Sequence, residues 1–143
     1  MDSVTLHWTP TNYRQLDSCA DCYLYAVTFK KQLLYIGMAY SQSVQARLKH
    51  KQHIQAKYQH LMDEITVWLG EVNYASFSRI SLQRIRDMEA LLIFMHQPPD
   101  NTQSKMSYRG RPNLRVRSRN CPSLYGEIWV QEGVCYPAWA RPI

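Results

Sequence analysis

Residues Tyr23–Gly37, YLYAVTFKKQLLYIG, decide how the rest of the chain is read. Tyr23–Phe29 is rich in aromatic and β-branched residues, which predicts a strand. Lys30-Lys31 interrupts the run, Gln32–Ile36 resumes it and Gly37 stops it, so the stretch predicts a β-hairpin. Beyond the hairpin, Ser41 and Ser43 offer N-caps for a polar helix over about Val44–Tyr58. Ile65, Val67 and Leu69 alternate along Ile65–Val72, the pattern of a half-buried strand. Ser78 or Ser81 opens a second helix reaching about His96. It is apolar on most sides through Leu82, Ile85, Met88, Leu91, Leu92, Ile93 and Met95, and Gln97-Pro98-Pro99 ends it. In Leu114–Asn120, Arg115, Arg117 and Arg119 alternate with Leu114, Val116 and Ser118, so a strand there projects all three arginines on one face. Tyr125–Gln131 can pair with it. The order β-β-α-β-α predicts an α+β fold, a small antiparallel sheet flanked by helices, with a C-terminal β-hairpin extension.

No repeat or low-complexity linker divides residues 1–143, so a single domain is expected. Hydrophobic residues make up 45% and charged residues 20%, which is enough for a conventional core. No apolar run reaches the ~18 residues of a membrane span, and MDSVTLHWTP carries no apolar leader segment. The expectation is a soluble cytoplasmic protein with no membrane partner. The net charge of +6 serves solubility or a polyanionic partner. Its distribution favours the partner. No acidic residue lies between Asp100 and Glu127, whereas Lys105, Arg109, Arg111, Arg115, Arg117 and Arg119 do. These six are the expected nucleic-acid-binding residues, and Arg is the better bidentate partner for phosphate. Of the four cysteines, Cys19 and Cys22 form C-x-x-C, while thirteen residues separate Cys121 from Cys135. That is not zinc-knuckle spacing, and free thiols are the commoner case, with zinc at Cys19 and Cys22 kept as a lesser reading.

Three clusters carry chemistry. Glu89 lies beside the most apolar stretch of the chain, where a carboxylate is costly unless it sits on a polar stripe or holds a hard cation. Arg47, His50 and Lys51, spaced by three and four residues, share one helical face and suit an anion. Tyr23, Tyr25 and Tyr35 lie on the hairpin strands, and a phenol near cations ionises more readily. Phosphodiester hydrolysis needs an attacking water, a base, cationic stabilisation of the transition state and help for the leaving oxygen. Tyrosine, arginine and a carboxylate-held metal supply these between them. The chain has no P-loop, G-x-S-x-G or H-E-x-x-H pattern.

Tyr23-Leu24-Tyr25, Tyr35-Ile36-Gly37, Arg47, Glu89 and Asn101, in that order, resemble the GIY-YIG endonuclease pattern over about residues 22–103. The block LLYIGMAYS is a close match, while Tyr23 and Leu24 stand where the family has glycine and isoleucine. Arg47 follows Tyr35 by twelve residues and Asn101 follows Glu89 by twelve. The resemblance implies a nuclease core over 22–103 with a basic extension over 104–143. It implies that Glu89 is the single protein ligand to Mg²⁺ or Mn²⁺, that Arg47 binds the scissile phosphate, that Tyr25 and Tyr35 flank the attacking water, and that Asn101 holds the site by hydrogen bonds. Lys51, with His50 beside it, stands where the family often has His or Tyr, so the general base stays open among Tyr25, Tyr35, His50 and Lys51. The implied function is metal-dependent endonucleolytic cleavage of DNA. Double-stranded DNA is favoured, single-stranded or branched DNA is allowed, and a homodimer would permit cutting of both strands. The alternative is a catalytically inactive nucleic-acid-binding module on the same fold.

Overall fold

The computed structural model describes residues 2–13, 16, 22–40, 44, 61, 63–74 and 81–136. Among these residues seven strands are present: β1 Asp2–Asn12, β2 Cys22–Phe29, β3 Gln32–Met38, β4 Ile65–Tyr74, β5 Leu114–Arg119, β6 Glu127–Gln131 and β7 Val134–Tyr136. The helix α1 spans Leu82–His96. The strands form a single curled sheet in the order β3-β2-β4-β1-β5-β6-β7. Each neighbouring pair is antiparallel except β1 and β5, which run parallel.

This corrects the expected fold class. The molecule is not a small antiparallel sheet flanked by helices with a hairpin appended. Among the described residues it is 48% strand and 17% helix, a mixed half-barrel with one short helix. The difference comes from β1, which the sequence reading did not anticipate. Val4, Leu6 and Trp8 alternate with more exposed neighbours and are each at most 1% exposed. Fully burying one such side chain contributes roughly 1.5–3 kcal/mol, enough to draw the strand into the middle of the sheet. β1 then joins β4 on one side to β5 on the other, so the strands expected as an extension belong to the same sheet. Pro10 is tolerated because β5 pairs only with Asp2–His7, which leaves one neighbour at that position. The expected helix over about Val44–Tyr58 falls almost wholly outside the described residues, and only Val44 is placed, buried.

The other elements follow local signals. Lys30 and Lys31 take φ of 47° and 69°, the backbone of a two-residue type I′ hairpin turn between β2 and β3. Ser81 caps α1 by accepting the Arg84 N–H at 3.2 Å. Gln97 ends the helix in the left-handed region (φ 51°), its N–H returning to the Ile93 carbonyl at 2.8 Å. Strand alternation divides the apolar residues between two faces. Leu24, Ala26, Ile36, Leu6, Val116 and Ile128 pack beneath Ile85, Met88, Leu91 and Leu92 of α1. Tyr25, Val27, Tyr35 and Val67 form a second cluster with Leu16 and Val44 on the opposite face.

Candidate active site

Strand β3 is the sheet's edge among the described strands, and the segment after α1 closes part of that edge. Asn101 is 7% exposed. Its Oδ1 accepts the Ile36 N–H at 2.9 Å and its Nδ2 donates to the Ile36 carbonyl at 2.8 Å. The Asp100 N–H adds a bond to the Leu34 carbonyl at 3.0 Å. A side-chain amide thus imitates a neighbouring strand, and the backbone of Tyr35-Ile36-Gly37 is tied to the end of α1.

Met38, the last residue of β3, lines an open cleft of about 660 Å³ on the helix side of the sheet. The other walls include Gln83, Arg86 and Glu89 of α1, with Gln103 and Arg109 from the following segment. Arg86 and Arg109 are exposed, and Glu89 is half-buried. The structure therefore brings Glu89, Arg109 and the end of the Tyr35-Ile36-Gly37 strand to one polar cavity.

The carboxylate buried in the apolar helix is not Glu89. It is Asp87, 4% exposed. Gln83 Nε2 donates to its Oδ1 at 2.9 Å and Arg111 Nε to its Oδ2 at 3.1 Å. Arg111 also reaches Asp2 Oδ2 at 2.6 Å, with Arg84 3.7 Å from the same oxygen. This chain of charges ties the start of β1, the first turns of α1 and the segment before β5 to one another. Helical periodicity carried the signal: Asp87 lies beside Met88 and one turn from Leu91. Glu89 lies on the polar stripe with Gln83 and Arg86 instead, so burial gives no argument for a metal there.

Tyr25 and Tyr35 lie on the face opposite α1, with ring centroids 6.0 Å apart at 40°. Tyr25 is 0% exposed and Tyr35 7%. Tyr25 stands across the ladder from Gly37, and a Cβ at Gly37 would overlap its phenol ring, so the glycine is what lets the ring lie flat over β3. Tyr23 stacks on Tyr40 at 5.6 Å. The structure thus pairs the two tyrosines but does not bring them into the cleft that Glu89 lines. Arg47, His50 and Lys51 lie outside the described residues.

The expected basic surface divides into parts. Arg111 is held by two carboxylates, and Lys105 Nζ donates to the Pro98 carbonyl at 2.8 Å. Arg109 opens onto the cleft. Arg115 and Arg117 alternate on β5 as read, but Glu127 of β6 lies 3.2 Å and 3.4 Å from their Nε atoms. Arg119, at the end of β5, is exposed. Cys121 and Cys135 are buried, and Cys19 lies outside the described residues.

His96 belongs to no motif in the sequence. Its Nε2 accepts the Tyr125 N–H at 2.9 Å, so Nδ1 carries the proton donated to the Leu92 carbonyl at 2.9 Å. The ring stacks on Tyr125 at 4.5 Å. Burial lowers its pKa from 6.5 to about 4, and the Leu92 carbonyl opposes that shift. Tyr108, packed against Gly110, has its pKa raised by burial, then by the charge of Asp87.

Among the described residues, no three His, Cys, Asp or Glu side chains cluster as a metal cage. Mg²⁺ does not need one. It takes one or two carboxylates and keeps several waters, and half-buried Glu89, beside an open polar cleft that Asp87 also lines, suits such a hydrated cation. No described helix is long and apolar enough to cross a membrane. No family model, curated protein or solved structure matches the chain.

Proposed function

We propose that the protein is a metal-dependent endonuclease of GIY-YIG type that hydrolyses phosphodiester bonds in DNA. The observation that carries this reading is the convergence of Glu89, Arg109 and the end of the Tyr35-Ile36-Gly37 strand on one cleft, with Asn101 fixing that strand from the far end of the same helix. In the proposal Glu89 holds a hydrated Mg²⁺ or Mn²⁺, which when bound supplies Lewis-acid charge to the phosphoryl group. Arg109 and Arg86 seat the phosphate, with Arg47 as the expected third cation. β3 is an edge strand, so the two faces of the sheet meet at its rim. Tyr35, on that strand, keeps slight exposure and is preferred over Tyr25 for orienting water. Tyr25 has no exposed surface and serves by packing on Gly37.

A second reading, a nucleic-acid-binding module without cleavage, is favoured by one observation. The tyrosine pair and Glu89 sit on opposite faces of the sheet. Incubation with supercoiled plasmid in Mg²⁺, and again in EDTA, separates the two. Cleavage that needs the cation and is lost in Glu89→Ala supports the nuclease. Binding without nicking supports the module, and cleavage retained by Glu89→Ala refutes the metal assignment.

A further inference from the structure

The outer face of the sheet, opposite α1, changes character along its width. Over β3, β2 and β4 it carries the tyrosine cluster. Over β5, β6 and β7 it carries Arg115, Arg117 and Arg119 together with Trp129 and Tyr136. The inward partners on these strands, Leu114, Val116, Ile128, Val130 and Cys135, all belong to the core beneath α1. Trp129 and Tyr136 belong to neither hydrophobic cluster. They are cross-strand partners, partly exposed and stacked, their rings nearly parallel with centroids 5.4 Å apart at 14°. Arg115 stands directly opposite Trp129, its guanidinium carbon 5.9 Å from the ring centroid. One row across three strands therefore runs cation, indole, phenol.

We propose that this face binds a single-stranded segment of nucleic acid, with phosphates on Arg115, Arg117 and Arg119 and bases stacked on Trp129 and Tyr136. It rests on the nucleic-acid part of the reading above but not on cleavage, and it lies across the sheet from the Glu89 cleft. Alternate residues of a strand stand on the order of 6.6 Å apart, a spacing suited to successive phosphates of an extended strand. Among the described residues of the strands, two acids share the face, Glu127 opposite Arg117 and Glu71 opposite His7. Glu127 divides its two oxygens between Arg115 and Arg117. Both Nε atoms are buried without an aligned hydrogen bond, while the two arginine side chains stay 36% and 42% exposed beside the carboxylate. A duplex hides the faces of its bases, whereas unpaired bases stack on aromatic rings with little regard to sequence. An aromatic pair flanked by a row of arginines therefore selects the unpaired strand.

Fluorescence anisotropy in EDTA, with a labelled oligothymidylate and a duplex of equal length, tests this on the intact chain. The oligothymidylate should bind more tightly. Trp129→Leu and Tyr136→Leu should each weaken it roughly 5- to 150-fold with little effect on the duplex. Arg119→Gln, an exposed change at a strand end that keeps the fold, should lower the log–log salt slope by about 0.7. Circular dichroism and thermal melts confirm that each variant is folded. Equal affinity for the two probes, or unchanged affinity and salt slope in all folded variants, overturns the proposal. Plasmid cleavage without oligothymidylate binding overturns it and spares the nuclease reading. Variant-sensitive binding without cleavage does the reverse.

Discussion

Acidification should destabilise this protein through His96 before the carboxylates dominate. The neutral ring is required: Nε2 accepts from Tyr125 while Nδ1 donates to Leu92, so a second proton would turn an acceptor into a donor facing an N–H. The folded pKa of about 4 lies below the ordinary 6.5. A lowered pKa means that the unfolded chain binds the extra proton first. The stabilisation is therefore complete above pH 6.5 and is lost as pH falls from 6.5 through about 4. At 1.36 kcal/mol per pKa unit, the loss is about 2 kcal/mol by pH 5 and about 3 kcal/mol by pH 4. Urea unfolding of the wild type and His96→Gln at several pH values isolates this contribution, since the other titrating groups are common to both. The wild type should be more stable near neutrality, and its margin should narrow by about 2 kcal/mol on going to pH 5. A margin that stays constant with pH would refute the account. The His96 imidazole resonance titrating in the native state near 6.5 would do the same.

Asn101→Ala removes both bonds to Ile36 and should cost about 2 kcal/mol, with faster hydrogen exchange at the Ile36 and Tyr35 amides. Unchanged exchange would show that the clamp is not what secures this edge. Gly37→Ala forces Tyr25 off β3 and should cost about 1–3 kcal/mol by overpacking, read in thermal melts. Combining it with Tyr25→Leu should relieve much of that cost. Arg111→Gln should destabilise by about 2 kcal/mol, because it leaves buried Asp87 without its cation, discounted for the partial exposure of Arg111. The same change should leave the salt slope of DNA binding unaltered, whereas a lowered slope would return Arg111 to the nucleic-acid surface.

The strands around Tyr23–Phe29, Gln32–Ile36, Ile65–Val72 and Leu114–Asn120 were legible because period-two alternation is local information. So were the cap at Ser81 and the stop at Gln97-Pro98-Pro99. β1 carried the same alternation in Val4, Leu6 and Trp8, but Pro10 and the short polar residues between them blunted it. Its partners, Tyr74 to Thr66 on one side and Leu114 to Arg119 on the other, are matters of register that no local pattern states. For the same reason the arginine ladder looked uncompensated. Glu127 becomes its neighbour only when β5 and β6 pair. Composition alone does not separate Asp87, on the buried stripe of the helix, from Glu89, on its polar stripe. Asn101 was read from its place in the motif pattern, and its hydrogen bonds are those of a residue that braces a strand.

The position of β1 also bears on how the chain reaches its native state. This strand precedes both of its partners, and its pairing with β5 joins Asp2 to Leu114. The β2–β3 hairpin can form as soon as its few residues exist, but β1 must wait for distant sequence, and pairings of such long separation form slowly. During that interval Val4, Leu6 and Trp8 form an unpaired apolar strand, the kind of edge on which chains aggregate. Yield on refolding should therefore depend on protein concentration through β1 above all, and a charged residue at Thr5 or Thr9, on its outer face, would be the conservative way to protect it.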